Sequence, residues 1–209
     1  MTDPETEFFS TLIELQYGQK VDQKLVELSK KVSWAKGWPE NNQSFWNAEA
    51  FMWQHKIEKE KRQLIKDELN FLTGNKNLDL GCGTYSYLPS VGFDFSEKML
   101  QFNENCLKKV SGDLEQKLPF AAEEFGSVTA VFVLNYVKNY TPLFSEIRRV
   151  LKEKGTFVMV LSINEINPWQ RQKEINSFSS KKWSVLLEEQ GFSVNCYQKE
   201  NLWFFVARK

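Results

Sequence analysis

From Lys76 onward, short apolar runs alternate with amphipathic helical patterns, and few folds accommodate that alternation. Strands that alternate with helices build βαβ units, and βαβ units build a mostly parallel sheet. Strands are predicted at Asn77–Leu80, Val91–Phe93, Ser127–Leu134 and Thr156–Leu161, with a less defined one near Lys109–Ser111. Leu143, Phe144, Ile147, Val150 and Leu151 share one face of a helix that Gly155 is expected to close. A last helix should start at Ser179 or Ser180 and reach Gln190, followed by Gly191. Phe192–Tyr197 and Leu202–Ala207 are separated by so short a turn that they should pair antiparallel. The expected class is therefore α/β, a mostly parallel sheet with an antiparallel C-terminal strand.

The first third of the chain has a different texture. Residues 4 to about 72 read as helical, with Asp3 as N-cap, Pro4 at the first helical position, and Glu5 and Glu7 in the first turn. Phe8, Leu12 and Leu15, and then Val21, Leu25 and Leu28, recur at three- and four-residue spacing. Gly37, Pro39 and two Asn interrupt the pattern, and a second helix is expected from about Ser44 to Leu72, ended by Gly74. Lys56–Glu60 and Glu58–Arg62 are spaced to pair on its exposed side. The boundaries drawn from these patterns are a helical cap or lid over 1–74 and a sheet domain over 75–209. Aromatic residues are 14% of the chain, and four of the seven Trp fall between Trp34 and Trp53. These rings should mostly bury the helices against the sheet, with one or two, such as Trp53, facing a substrate.

Composition narrows the function. Lys plus Arg and Asp plus Glu are both 27, which argues against a nucleic-acid partner, since such binders usually carry a basic excess. The longest largely apolar run, Val128–Leu134, is too short to span a bilayer, and no secretory signal is visible at the acidic start. Cys82, Cys106 and Cys196 lack metal-ligand spacing and His55 is the single histidine, so no metal site is expected. Few, unpaired cysteines suit a reduced, cytoplasmic protein. Nothing in the pattern speaks to oligomeric state.

Three motifs carry chemistry. Asp79-Leu80-Gly81-Cys82-Gly83-Thr84 is a strand running into a Gly-x-Gly turn, where glycine permits both a tight turn and close approach of the backbone to a ligand. Asp94 ends the short strand Val91-Gly92-Phe93; a carboxylate there can accept both hydroxyls of a ribose. Ser96 is placed to cap the next helix, which would free Asp94 for a ligand. Gly112-Asp113-Leu114 is a turn whose acid could accept from the exocyclic amine of adenine.

In this order the motifs resemble the class I S-adenosylmethionine-dependent methyltransferases, over roughly Lys76 to Lys209. That resemblance implies a Rossmann-like sheet and S-adenosylmethionine as cofactor. It implies a glycine-rich loop of Asp79, Gly81, Cys82, Gly83, Thr84 and Tyr85, with Asp79 toward the amino group of the methionine moiety. It implies Asp94 and Phe95 at the ribose and Asp113 and Leu114 at the adenine. It also implies that Leu134 and Asn135, in the turn after the fourth strand, line the pocket. The chain departs from the pattern in four places, of which Phe125-Gly126 for a usual Phe-Asp and Lys154-Gly155 for a Gly-Gly pair lie away from the three acids. Tyr85 replaces the third glycine. Only ten residues separate Gly83 from Asp94, where about twenty are usual. A crossover helix with its turns needs about a dozen, so the first helix should be a single turn or missing, with the N-terminal helices covering the site instead.

The resemblance implies methyl transfer to a small-molecule acceptor. An acceptor in tRNA or protein, or cofactor binding without catalysis, are the alternatives. A nicotinamide-dependent oxidoreductase fits poorly, because the third glycine is absent and Asp94 comes too early. Methyl transfer needs a general base only when the acceptor loses a proton as it attacks. His55, Tyr17 and Tyr136 are the candidates for such a role, and Asn167 and Trp169, just past the fifth long strand, for substrate contact.

Overall fold

A computed structural model of the protein describes residues 3–164 and 171–209, apart from the side chains of Gln54 and His55. Seven strands form one sheet: β1 (Asn77–Leu80), β2 (Ser90–Asp94), β3 (Cys106–Ser111), β4 (Phe125–Val131), β5 (Leu151–Ser162), β6 (Ser193–Lys199) and β7 (Leu202–Arg208). Their order is β3-β2-β1-β4-β5-β7-β6. The first five are parallel, and β7 is antiparallel to both β5 and β6.

The helices are α1 (Pro4–Gln16), α2 (Asp22–Ser29), α3 (Asn42–Lys56), α4 (Lys59–Leu69), α5 (Glu97–Phe102), α6 (Tyr140–Val150) and α7 (Ser180–Glu189). Period-two alternation sends Leu78 and Leu80 of β1 and Phe157, Met159 and Leu161 of β5 to one face. There they pack with Leu143, Phe144, Ile147 and Val150 of α6 and Trp183 and Leu187 of α7. Val158, Val160 and Phe204 point to the other face, against Ile65 and Leu69 of α4. A third cluster lies within the N-terminal helices, around Phe8, Leu25, Trp38 and Phe45.

Several boundaries differ from expectation. The first helical stretch is two helices, because Gly18 takes φ +80° and turns the chain after α1. The second stretch is split at Ile57, which is extended (φ −102°, ψ 115°). Ile57 is buried in the α4 cluster, and Arg62 Nε donates to its carbonyl at 2.9 Å. Lys56 pairs with Glu49 at 2.5 Å, not with Glu60. Gly155 does not close α6. β5 begins directly at Leu151, and Gly155 lies within it at a bulge opposite β4, where a Cβ would stand 2.8 Å from Lys152 O. β4 ends at Val131, three residues early, since Phe132 takes φ +58° and turns the chain out of the sheet.

The shortened first crossover contains no helix. Residues 81–89 connect β1 to β2 as an irregular loop. Beneath it the sheet is polar rather than apolar. Asn77 Nδ2 donates to Ser90 Oγ (2.8 Å) and Thr129 Oγ1 (3.0 Å), Ser127 Oγ donates to Asn77 Oδ1 (2.8 Å), and Thr129 Oγ1 donates to Asp79 Oδ1 (2.8 Å). Each of these buried groups has a partner, which removes the penalty of burying it. Tyr87 and Leu88 of the loop pack into the α4 cluster and supply apolar cover there.

Candidate cofactor and acceptor site

A cavity of about 500 Å³ opens at the carboxyl ends of β1, β2 and β4. β1 lies between β2 and β4, so the chain runs outward on one side of it and returns on the other. Such a reversal leaves a crevice in open α/β sheets.

The glycine loop forms one wall. Gly81 and Cys82 both donate their N–H to Phe93 O, at 2.7 and 3.3 Å, which ties the loop to β2. Gly81 and Gly83 take φ +58° and +55°, a region that costs other residues strain. At Gly81 a Cβ would lie 2.3 Å from Val133 Cγ2, so no side chain fits. Asn103, fully buried after α5, holds the loop from below: its Nδ2 approaches Gly83 O (3.0 Å), Cys82 O (3.3 Å) and Ser86 Oγ (3.1 Å). Nothing in the local sequence around Asn103 announces that role.

Two buried carboxylates face the cavity. Asp79 is 3% exposed; burial raises its pKa to about 6, against the opposing hydrogen bonds of Ser86 and Thr129. Asp94 is raised to about 6 by the same cause, opposed by the N–H groups of Ser96 and Gly83. Asp94 is not free, contrary to the expectation from sequence. Ser96 Oγ does cap α5 by accepting from Met99 N (3.1 Å), but Asp94 Oδ1 accepts from Ser96 N (2.9 Å) and Oδ2 from Gly83 N (3.0 Å). It clamps the glycine loop to the start of α5. Asp113 sits at the exposed rim and accepts from Glu115 N at 2.9 Å, with Leu114 beside it in the wall.

The opposite wall is aromatic. Asn42, Trp46 and Trp53 fall on one face of α3 and all reach the cavity. Trp53 rests against the loop, its Nε1 3.3 Å from where a Gly83 Cβ would be. Trp46 packs edge-on to Trp53 (centroids 6.1 Å) and to Tyr136 (4.9 Å). Tyr85 packs edge-on to Tyr87, with the Arg62 guanidinium 5.4 Å from the Tyr85 ring centre. Burial pushes the Tyr136 hydroxyl above its usual range.

Of the residues expected here from sequence, Asp79, Gly81, Cys82, Gly83, Tyr85, Asp94, Phe95, Asp113, Leu114, Trp53 and Tyr136 line the cavity. Thr84, Leu134 and Asn135 do not. Thr84 is turned inward, with a buried Oγ1 that has no partner. The turn that begins at Phe132 rotates Leu134 into the α6 core. It also sets Asn135 outside, where its carbonyl accepts from Ile175 N and Asn176 N at 2.8 and 3.0 Å. Tyr17 is 83% exposed at the end of α1 and has no part in the wall. Asn167, Trp169 and the His55 side chain lie outside the described residues. Tyr87, Met99 and Lys173 also line the cavity and carried no signal in the sequence. Among the described residues there is no cluster of three or more His, Cys, Asp or Glu placed to hold a metal, and no helix long and apolar enough to cross a membrane.

Residues 78–159 match the model of a methyltransferase domain. Over that segment the chain resembles the class I S-adenosylmethionine-dependent methyltransferases. The family implies S-adenosylmethionine as cofactor. The chain is 33% identical over 128 residues to a demethylmenaquinone methyltransferase of Staphylococcus saprophyticus, covering 53% of this chain and 54% of that protein. It thus spans about half the length of the curated relatives it matches. The fold is also that of an S-adenosylmethionine-dependent methyltransferase from Thermotoga maritima (TM-score 0.64, 15% identity, 78% of this chain and 98% of that one). A second, from Aquifex aeolicus, aligns with a TM-score of 0.62 at 15% identity over 78% and 97% of the two chains. The cavity suits S-adenosylmethionine on its own terms, since the buried Asp79 and Asp94 carboxylates face it and Gly81 and Gly83 leave the loop backbone bare at two positions.

Proposed function

We propose that the protein transfers a methyl group from S-adenosylmethionine to a small, flat acceptor. One observation carries this reading: the same cavity has the Asp79–Asp94 loop on one side and the Trp46, Trp53 and Tyr136 rings on the other. The sulfonium cofactor supplies a methyl that is already activated, so the protein contributes mainly alignment and exclusion of water.

In this reading Asp79 takes the amino group of the methionine moiety. Asp94 takes the ribose hydroxyls; each of its oxygens accepts one backbone N–H and keeps a lone pair for a further donor. Asp113 and Leu114 meet the adenine. Residues 1–74 act as a cap on the sheet domain 75–209, with the α3 stripe closing the side that the absent crossover helix leaves open. A flat acceptor lies among the rings of Trp46, Trp53 and Tyr136. The demethylmenaquinone methyltransferase name of the relatives agrees with an aromatic acceptor. The basic face that a tRNA acceptor would use is broken here, because Lys56 is paired with Glu49 and Arg62 lies over Tyr85. Free, unlinked cysteines support a cytoplasmic location.

Calorimetry with S-adenosylmethionine and with its demethylated product tests the first half of the reading; the expected outcome is micromolar-range binding. No heat with either ligand, in folded protein, overturns it. Methyl transfer to quinols and phenols of two fused rings tests the second half, with tRNA as the competing acceptor.

A further inference from the structure

We infer that Cys82 and Cys106 form an oxidisable thiol pair whose disulfide deforms the cofactor loop. Cys82 stands in the glycine loop and lines the cavity. Cys106 is the first residue of the edge strand β3, two strands away from β1 in the sheet. Their sulfurs nevertheless lie 4.0 Å apart. Gly92, on the strand between them, makes this approach possible: a Cβ there would stand 2.2 Å from Cys106 Sγ and 2.9 Å from Cys82 Sγ. The chain thus has a side-chain-sized gap in the middle of a sheet, filled by two thiols. Cys196, on β6, is at the opposite edge of the sheet and serves as an internal control.

The two thiols differ in character. Cys106 is half-buried and Cys82 is 5% exposed. Contact with the Cys82 thiol and with Ser86 Oγ (3.3 Å), together with the charge of Lys109, holds the Cys106 thiol below its usual range despite partial burial. The same contact and its own burial push Cys82 up. Cys106 is therefore the group that meets an oxidant, and Cys82 the one that resolves. With a hydroperoxide, the Cys106 thiolate attacks the outer peroxide oxygen. The O–O bond breaks, the alkoxide leaves and is protonated, and Cys106 becomes a sulfenic acid. Cys82 sulfur then attacks that sulfur; the S–O bond breaks and the hydroxide leaves with the Cys82 proton as water. Two thiols and one hydroperoxide give one disulfide, one alcohol and one water.

A disulfide requires sulfurs about 2.05 Å apart, so closure needs a further movement of roughly 2 Å. β3 is held to β2 from Cys106 to Ser111 by strand pairing, whereas residues 81–89 are irregular. The loop is the part that yields. Its displacement pulls on the Gly81 and Cys82 bonds to Phe93 O and on the Gly83 bond to Asp94. The effect on ligand binding rests on the cofactor reading proposed above; the pairing of the thiols does not.

The test uses full-length reduced protein treated with hydrogen peroxide, alkylated and digested. A linked Cys82–Cys106 peptide is expected, with Cys196 remaining alkylated. Calorimetry with S-adenosylmethionine should show binding weakened at least about tenfold after oxidation and restored by dithiothreitol. Cys106→Ser should bind as the reduced wild type does and be insensitive to peroxide. The proposal is overturned by absence of the linked peptide, by a linked peptide with unchanged affinity, or by equal peroxide sensitivity of Cys106→Ser. If the reduced protein binds no cofactor, the cofactor reading fails, and the linked peptide alone decides the pairing.

Discussion

Two connections between parallel strands solve the same problem in opposite ways. Between β4 and β5 the chain builds α6, whose apolar stripe of Leu143, Phe144, Ile147 and Val150 is buried against Leu78, Val128 and Phe157. Between β1 and β2 it builds no helix at all. The sheet beneath that loop carries Asn77, Asp79, Thr129 and Ser90 linked by hydrogen bonds, and the loop above is held by Asn103 and Asp94. One crossover is stabilised by apolar burial, which is insensitive to small displacements. The other is stabilised by directional bonds that place backbone and carboxylates at a cavity. The α6 stripe faces the core, and only the turn leading into it reaches the cavity, whereas the polar crossover supplies the glycine-loop wall itself.

The largest expected effect breaks this comparison on the α6 side. Phe144→Ala removes a fully buried ring, and should cost about 3–5 kcal/mol of stability. It should leave the affinity for S-adenosylmethionine unchanged wherever the protein remains folded. Urea denaturation beside calorimetry checks both halves, and a large affinity loss in folded protein would remove the division of labour between the two crossovers.

Next in size is Asp94→Ala. It frees two buried N–H groups, of Gly83 and Ser96, and removes the proposed ribose acceptor. Cofactor binding should weaken by at least about tenfold, roughly 1.4 kcal/mol. Unfolding by urea should show a smaller loss than Phe144→Ala. Intact affinity would leave Asp94 as a loop clamp only.

Trp53→Ala tests whether α3 stands in for the missing helix. Trp53 is half-buried against Gly83, so its loss should reduce cofactor affinity by about three- to tenfold with a stability change near 1 kcal/mol. Equal affinity in the variant would mean that α3 does not cover the cofactor side of the cavity.

The α6 crossover was readable from sequence because its information is periodic: an apolar stripe at helical spacing states both the element and its buried face. The mostly parallel sheet and its antiparallel end followed from the same periodicity and from short turns, but the strand order did not. The β1–β2 crossover was readable only by its length, which excluded a helix without saying what replaced it. Its stability comes from Asn103, Ser86, Thr129 and Asn77, polar residues that have no period and meet across 17 to 52 positions of sequence. The same limit applies at Ile57, where neither Gly nor Pro marks the break between α3 and α4, and tertiary burial of one side chain decides it. Lys173 reaches the wall from 133 residues beyond Glu40, whose carbonyl its Nζ contacts at 3.1 Å. The motif residues Asp79, Gly81, Gly83 and Asp94 were legible because a turn and a strand end impose local rules. Leu134 and Asn135 lie off the cavity wall, past the turn made by Phe132 with its positive φ, which no local pattern announces.

A last expected effect, confined to part of the pH range, concerns what the polar crossover costs the protein. Asp79 is buried with its pKa raised to about 6 from an ordinary value of 3.8. Above pH 6 the carboxyl is ionised in both folded and unfolded chains, and burying that charge disfavours the fold. As the pH falls from 6 toward 4 the native carboxyl takes up its proton first, so its unfavourable contribution fades; below about 4 both states are neutral. Asp79→Asn keeps the shape and removes the charge. The variant should therefore be more stable than the wild type at pH 8, by on the order of 1–3 kcal/mol. That advantage should shrink through pH 6 and vanish near pH 4. Cofactor affinity should move the other way, weaker in Asp79→Asn at pH 8 and weakening in the wild type as the pH drops below 6. Thermal unfolding of both proteins across this range, with and without S-adenosylmethionine, measures both trends. A pH-independent stability difference would mean that Asp79 is no more costly to bury than its neutral neighbours Asn77 and Thr129. The polar crossover would then be a structural variant of the helical one, rather than a site where stability is given up for a charge at the ligand.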